Sequence, residues 1–273
     1  MGEARLPPDA TMTQAAGVVG LAIGLGRLFG FARDAMIAHV FGATMAADAF
    51  FVAFAIPNLV RRLGGEGALS AAMVPIVTAS LRKEGPHGLP HLANGLFAAV
   101  AVILLLLSGV GMLIAPWLVR AMVPGFWTTP EKLHLTVALT RLMLPFLVFM
   151  GLTAVSMGLL NALGHFAVPA LAPTFMNIVM IAGILLVSPH LETPIYGLAA
   201  AVVVGGALQW LGQMPVLLRR CVPRRWVWDW RHPELARIIW LTLPSLFGLA
   251  VADVNSLVGQ WLASFLADGS VSY

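Results

Sequence analysis

Four arginines and two aspartates lie inside the first two hydrophobic segments of this chain, in the run Arg27-Leu-Phe-Gly-Phe-Ala-Arg33-Asp34 and in the stretch from Asp48 through Pro57-Asn58 to Arg61-Arg62. Groups of this kind cost about 2.5 to 3.5 kcal/mol each at the middle of a membrane on insertion scales, so an apolar span keeps them only for a reason. On a helix turning 100° per residue, Arg27 and Asp34 fall within about 20° of one another, two turns apart on one face. Arg33 lies about 120° round from Arg27, which spreads positive charge over a broad sector with Asp34 as the local counter-ion. In the second segment Asn58 and Arg62 are four apart, Arg61 is adjacent, and Glu66 follows one turn later. The Ile56-Pro57 bond disfavours regular helix just before this cluster, and a kink there would aim it toward the interior of a bundle.

Two chemistries fit these residues. In the blander one the charges pair with each other, Arg27 or Arg33 with Asp34 or Asp48 and Arg62 with Glu66, and only lock helices together. In the other, the four arginines exceed their acidic neighbours and the positive excess is completed by a bound anion. Arginine suits that task because its guanidinium stays protonated and forks onto phosphate oxygens, whereas a buried lysine readily loses its proton. A phosphorylated or pyrophosphorylated headgroup is the expected ligand, bound by Arg27, Arg33, Asp34, Asp48, Asn58, Arg61 and Arg62.

The elements that position these groups are membrane helices. The 273 residues are 59% hydrophobic and 10% charged, and the mean hydropathy is +0.90. Several uncharged runs approach the roughly 20 residues needed to cross a bilayer. The expected fold class is all-α, a polytopic transmembrane bundle. Spans are read at 13–41, 45–80 (interrupted by Pro57 and by Arg61 to Gly67), 92–119, 133–160, 167–188, 195–218 and 237–266, seven helices with the start of an eighth at the carboxyl end. With a cytoplasmic amino terminus, the inside segments carry nine basic residues and the outside loops only Arg120 and Lys132, which fixes the expected orientation. Trp226, Trp228 and Trp230 on the basic inside loop, and Trp117 and Trp127 beside an outside loop, read as interfacial anchors. Arg141, near the start of the fourth span, reads as snorkelling to the outside interface. His39, His165, Asn161, Asn177, Gln209, Gln213, Asp253, Asn255 and Gln260 read mainly as interhelical hydrogen-bonding groups.

The formal charge of +4 does not point to nucleic acid, since the basic residues flank hydrophobic spans instead of lining a soluble groove. The single cysteine, Cys221, allows no internal disulfide and no cysteine-based metal site. The amino terminus lacks the pattern of a cleaved signal peptide. No Gly-rich phosphate loop ending in Gly-Lys-Ser/Thr, His-Glu-x-x-His or Gly-x-Ser-x-Gly signature is present; the expectation is a protein that is not an enzyme, needs no cofactor or metal, and hydrolyses no ATP.

The wording of the charged run also carries a resemblance. Arg27-Leu-Phe-Gly-Phe-Ala-Arg33-Asp34, Phe41-Gly42-Ala43, Ala47-Asp48-Ala-Phe-Phe-Val-Ala-Phe54, Ile56-Pro57-Asn58-Leu59, Arg61-Arg62, Glu66-Gly67-Ala68 and Met73-Val74-Pro75 resemble the amino-terminal part of the MurJ (MviN) family of bacterial lipid II flippases. Ala115-Pro116-Trp117, Pro124-Gly125-Phe126, Pro169 to Thr174, Asn177-Ile178 and Ser264 to Ser272 are similar as well. The resemblance implies the multidrug/oligosaccharidyl-lipid/polysaccharide exporter fold, two lobes of six helices around a central cavity, with two further helices for the lipid tail. It also implies that Arg27, Arg33, Asp34, Asp48, Arg61 and Arg62 correspond to charged residues used in that cavity. Family members continue beyond the Gly-Ser-Val-Ser stretch into a second lobe, so the chain is expected to supply one lobe and to lack its carboxyl-terminal partner.

The expected organisation is a cytoplasmic tail at 1–12, an amino-terminal six-helix lobe at 13–218, a basic cytoplasmic linker at 219–236 and a truncated start of the second lobe at 237–273. The expected activity is flipping of lipid II, or a similar polyprenyl-pyrophosphate lipid, across the bacterial inner membrane for peptidoglycan synthesis, by alternating access driven by membrane potential or an ion gradient. The alternatives are export of another polyprenyl-pyrophosphate-linked saccharide, or a non-transporting membrane half that needs a partner lobe.

Overall fold

The computed structural model describes residues 9–65, 68–84, 88–220, 258–266 and 269–270. Within them the chain is helical: α1 (Asp9–Phe41), α2 (Met45–Gly65), α3 (Ala68–Glu84), α4 (Leu89–Met122), α5 (Pro130–Met143), α6 (Phe146–Ala162), α7 (Ala167–Ala182), α8 (Ile195–Leu211) and α9 (Met214–Arg220). A further helical stretch covers 258–263. Among the described residues, five helical segments are long and apolar enough to cross a membrane: 16–41, 89–122, 130–162, 167–190 and 195–219.

The ends of these helices follow from local chemistry. α1 stops at Gly42, whose positive φ of 57° lets its N–H turn back onto the Ala38 carbonyl at 3.0 Å, the usual left-handed glycine stop. Two residues later Thr44 opens α2 by accepting the Ala47 N–H on its hydroxyl at 3.3 Å, an N-cap. The span expected at 45–80 is described as two helices, α2 to Gly65 and α3 from Ala68, and Pro57 lies inside α2. The span expected at 133–160 is also two helices, parted by a turn at Leu144-Pro145; Pro145 has no N–H to continue the ladder. α7 runs into a π turn at Gly183–Val187 and a 3₁₀ turn at Ser188–His190.

Packing divides the lobe into two main cores. Met73, Leu92, Leu96, Phe97, Val155 and Leu159 join α3, α4 and α6. Phe50, Leu139, Phe146, Met176, Leu198 and Val202 join α2, α5, α6, α7 and α8, with Phe50 stacked on Phe54 at 5.7 Å between ring centres. α6 is the shared pillar. α1 is different, because its long face lies almost wholly against α7, while Leu21, Leu28 and Phe31 are left exposed. Near their common turn α1 and α2 share the second core through Ile37, Phe41 and Phe50; along the rest of its length α1 packs chiefly on α7.

A charged cluster on two diverging helices

Arg33 sits where α1 meets α7. Its Nε and Nη2 both donate to Asp34 Oδ1, at 2.9 and 2.7 Å, and its Nη1 donates to Asn177 Oδ1 at 2.8 Å. Asn177 in turn donates its Nδ2 to the Gly26 carbonyl at 3.1 Å. Gly26 and Gly30 face this contact: a Cβ on either would lie 3.5 Å from Thr174 Oγ1 or Asn177 Nδ2, in ordinary van der Waals contact. Arg33 is thus held by Asn177 with about a quarter of its side chain exposed, and Asp34 stays mostly in the open. Arg27 is exposed and makes no ion pair among the described residues.

Asp48 has a different environment. It is fully buried in the first turn of α2, where the helix N-terminus favours negative charge. Lys132, at the start of α5, donates to its Oδ2 at 2.8 Å with only 5% of the lysine side chain exposed, and the Lys132 ammonium lies 4.2 Å from the centre of the Phe126 ring. The same carboxylate oxygen accepts the backbone N–H of Gly269 at 2.8 Å. The carboxyl-side segment is thereby tied to the turn between α1 and α2, and Gly269, at φ 90°, is pressed so close to Ala43 that an added Cβ would sit 2.7 Å from its neighbour's. Nearby, the Ser264 hydroxyl accepts the Gly125 N–H at 3.2 Å.

The residues expected to form one site are therefore divided. Arg27, Arg33 and Asp34 belong to α1; Asn58 is half-buried on α2; the backbones of Arg61 and Arg62 continue α2, with their side chains outside the described residues, as are Glu66, Asp253, Asn255, Cys221 and Trp226, Trp228 and Trp230. At 1.5 Å per residue from the Phe41–Met45 turn, Arg27 is about 21 Å down α1, while Asn58 and Arg61 are about 20 and 24 Å down α2. Two arms of similar reach carry them. Of the pairings considered from sequence, Arg33 with Asp34 is formed, and Asp48 is bound to Lys132 in place of an α1 arginine.

The Asp48–Lys132 pair was missed because Lys132 reads as a loop cation. Both residues nevertheless begin spans that the expected topology starts on the same side, and that coincidence was the available signal. Asn177 does make the interhelical bond read for it. Arg141 is exposed and its Nε donates to the Met112 carbonyl at 3.0 Å.

Comparison with known proteins identifies the family. A family described as "Lipid II flippase MurJ" matches residues 37–273. The chain belongs to the MurJ family. The lipid II flippase MurJ of Burkholderia cenocepacia is 39% identical over 256 residues, covering 91% of this chain and 49% of that protein. A probable lipid II flippase MurJ of Vibrio cholerae is 36% identical over 258 residues, covering 91% of this chain and 49% of its own length. The chain spans about half the length of these MurJ relatives. Among solved structures, "Lipid II flippase MurJ, inward closed conformation" superposes with a TM-score of 0.79 at 24% identity, over 93% of this chain and 52% of that one. An outward-facing multidrug resistance MATE family transporter of the MOP superfamily gives 0.66 at 16% identity, over 89% of this chain and 54% of its own. These likenesses establish the fold, one lobe of a MurJ-like exporter, in a multi-pass membrane protein.

Proposed function

We propose that this lobe forms the arginine-bearing wall of a lipid II flippase of the bacterial inner membrane, with its amino terminus cytoplasmic, in a protein that also carries the second half its relatives have. The observation that carries the reading is the fate of Asp48. Its carboxylate is taken up by Lys132 and Gly269, which removes one of the few anions that could neutralise the arginines of α1 and α2. Arg33 retains Asp34, and Arg27 stands exposed on the same helix. Positive charge held on two diverging helices suits a pyrophosphate that supplies several acceptor oxygens at once.

In this mechanism Arg27 and Arg33 grip the pyrophosphate from α1 while Asn58, Arg61 and Arg62 approach it from α2, and Asp34 keeps Arg33 oriented between substrates. Asp48 acts by holding the α1–α2 turn in place. The polyprenyl tail stays in lipid as the headgroup crosses by alternating access. No covalent bond is made or broken. Moving an anion outward across an inside-negative membrane gains about 2.3 kcal/mol per charge per 100 mV, sufficient to drive the step without ATP.

The division into a tail at 1–12, a lobe at 13–218, a linker at 219–236 and a second-lobe start at 237–273 belongs to this proposal. Its test is complementation in cells depleted of their flippase. Co-expression of this chain with a polypeptide supplying the remaining half should restore lipid II export, and the 273-residue chain alone should not. Failure of the pair, when both parts are present in the membrane, would overturn the reading. Rescue by a polysaccharide-precursor assay but not by lipid II export would assign the lobe to another polyprenyl-pyrophosphate-linked saccharide.

A further inference from the structure

A second cationic site lies away from the charged cluster, in a cleft of about 270 Å³ between the end of α4 and α5, lined by Pro116, Arg120, Leu133, His134, Val137 and Arg141 with Ala138. Pro116 explains why an arginine is drawn there. A proline has no N–H, so the Met112 carbonyl one turn back lacks its helical partner, and the Nε of Arg141 supplies the bond at 3.0 Å. That contact turns the Arg141 guanidinium edge into the cleft. Across it, Arg120 lies 5.7 Å from the centre of the Trp117 ring, and its carbonyl accepts the Trp127 indole N–H at 3.2 Å. Neither arginine is paired with a carboxylate among the described residues.

The surroundings indicate what the cleft would hold. Leu106, Val110, Leu113 and Trp117 recur at helical spacing along α4 and are 52–77% exposed, an apolar stripe that ends at Arg120. Trp117 and Trp127 are 69% and 60% exposed, as indoles are at the headgroup level of a bilayer. An acyl chain along the stripe would place its phosphate beside two unpaired guanidiniums. Charge complementarity with those arginines selects an anionic lipid over a zwitterionic one, whose ammonium they would repel.

We propose that the α4–α5 cleft binds one anionic phospholipid, its phosphodiester held by Arg120 and Arg141 with His134 at the rim and one acyl chain laid along Leu106, Val110 and Leu113. The test is native mass spectrometry of the 273-residue chain in detergent, titrated with phosphatidylglycerol or with phosphatidylcholine. One phosphatidylglycerol should be retained in preference to phosphatidylcholine, and the Arg120→Gln/Arg141→Gln double substitution should weaken its binding at least tenfold, while Arg219→Gln should not. Because Arg141→Gln also removes the bond to Met112, Arg120→Gln is measured alone: it leaves helix packing untouched and should still weaken binding several-fold. Equal retention of the two lipids, or unchanged phosphatidylglycerol binding in Arg120→Gln, would overturn the proposal.

Discussion

The charged residues of this lobe differ in what surrounds them, and the difference predicts how each tolerates substitution. Asp48 and Lys132 are enclosed and bonded to one another. Removing Lys132 alone breaks a buried ion pair at one partner, a change of the kind that costs about 3 to 5 kcal/mol. Lys132→Met should therefore markedly lower the thermal unfolding temperature in detergent, and Asp48→Asn added to it should recover much of the loss; a double-mutant cycle on unfolding midpoints measures this. Asn177→Leu removes the acceptor for Arg33 Nη1 and the side-chain donor to the Gly26 carbonyl, cutting both of these bonds between α1 and α7 while Arg33 keeps Asp34. The expected cost is about 1 kcal/mol, read as a lower unfolding midpoint than that of the parent. Sequence alone exposed the arginines and aspartates because charge in an apolar run is conspicuous. It did not expose their partners: Lys132 is 84 residues from Asp48 and Asn177 is 144 from Arg33, and no local pattern encodes such distances.

At the scale of helices, hydropathy and length located five of the seven expected spans, since an element that must satisfy its backbone within lipid is long, apolar and helical; most of the span expected at 237–266 lies outside the described residues. The discrepancies lie where a proline or glycine is tolerated by its neighbours. Pro57 is carried inside α2, whereas Pro145 marks a real break between α5 and α6; both read alike in the sequence, and packing decides. The π turn at Gly183–Val187 leaves no periodic signature for the same reason. The contact between Gly125 and Ser264 gives a prediction at this level. An added Cβ at Gly125 would strike the Ser264 backbone, so Gly125→Val should release the 258–266 segment from the lobe. Faster hydrogen exchange in 258–266, with α6 unchanged, is the expected result, and unchanged exchange in 258–266 would contradict the docking.

For the whole molecule, the arrangement is a lobe whose first helix packs on α7 and joins α2 near their common turn. α1 lies on α7, α2 belongs to the central core, and the turn that joins them is fastened by Gly42, Thr44 and the Asp48–Lys132–Gly269 contacts. Such a frame positions charge on two arms without closing the space between them, as a carrier of a large anionic headgroup needs. If the bound pyrophosphate is the missing countercharge, its affinity must depend on both α1 arginines and its movement on the membrane potential. Collapsing the potential with an ionophore should slow outward movement of the headgroup, while an inside-negative potential should speed it.

The most direct measurement is lipid II headgroup translocation by a full-length protein that contains this lobe, reconstituted in liposomes, with Arg27→Gln and Arg33→Gln compared against the parent at equal incorporation. Loss of translocation in both variants, together with weakened lipid II binding and an unchanged unfolding midpoint for Arg27→Gln, is the predicted result. Parental rates in both variants would contradict the assignment of the α1 arginines to the pyrophosphate.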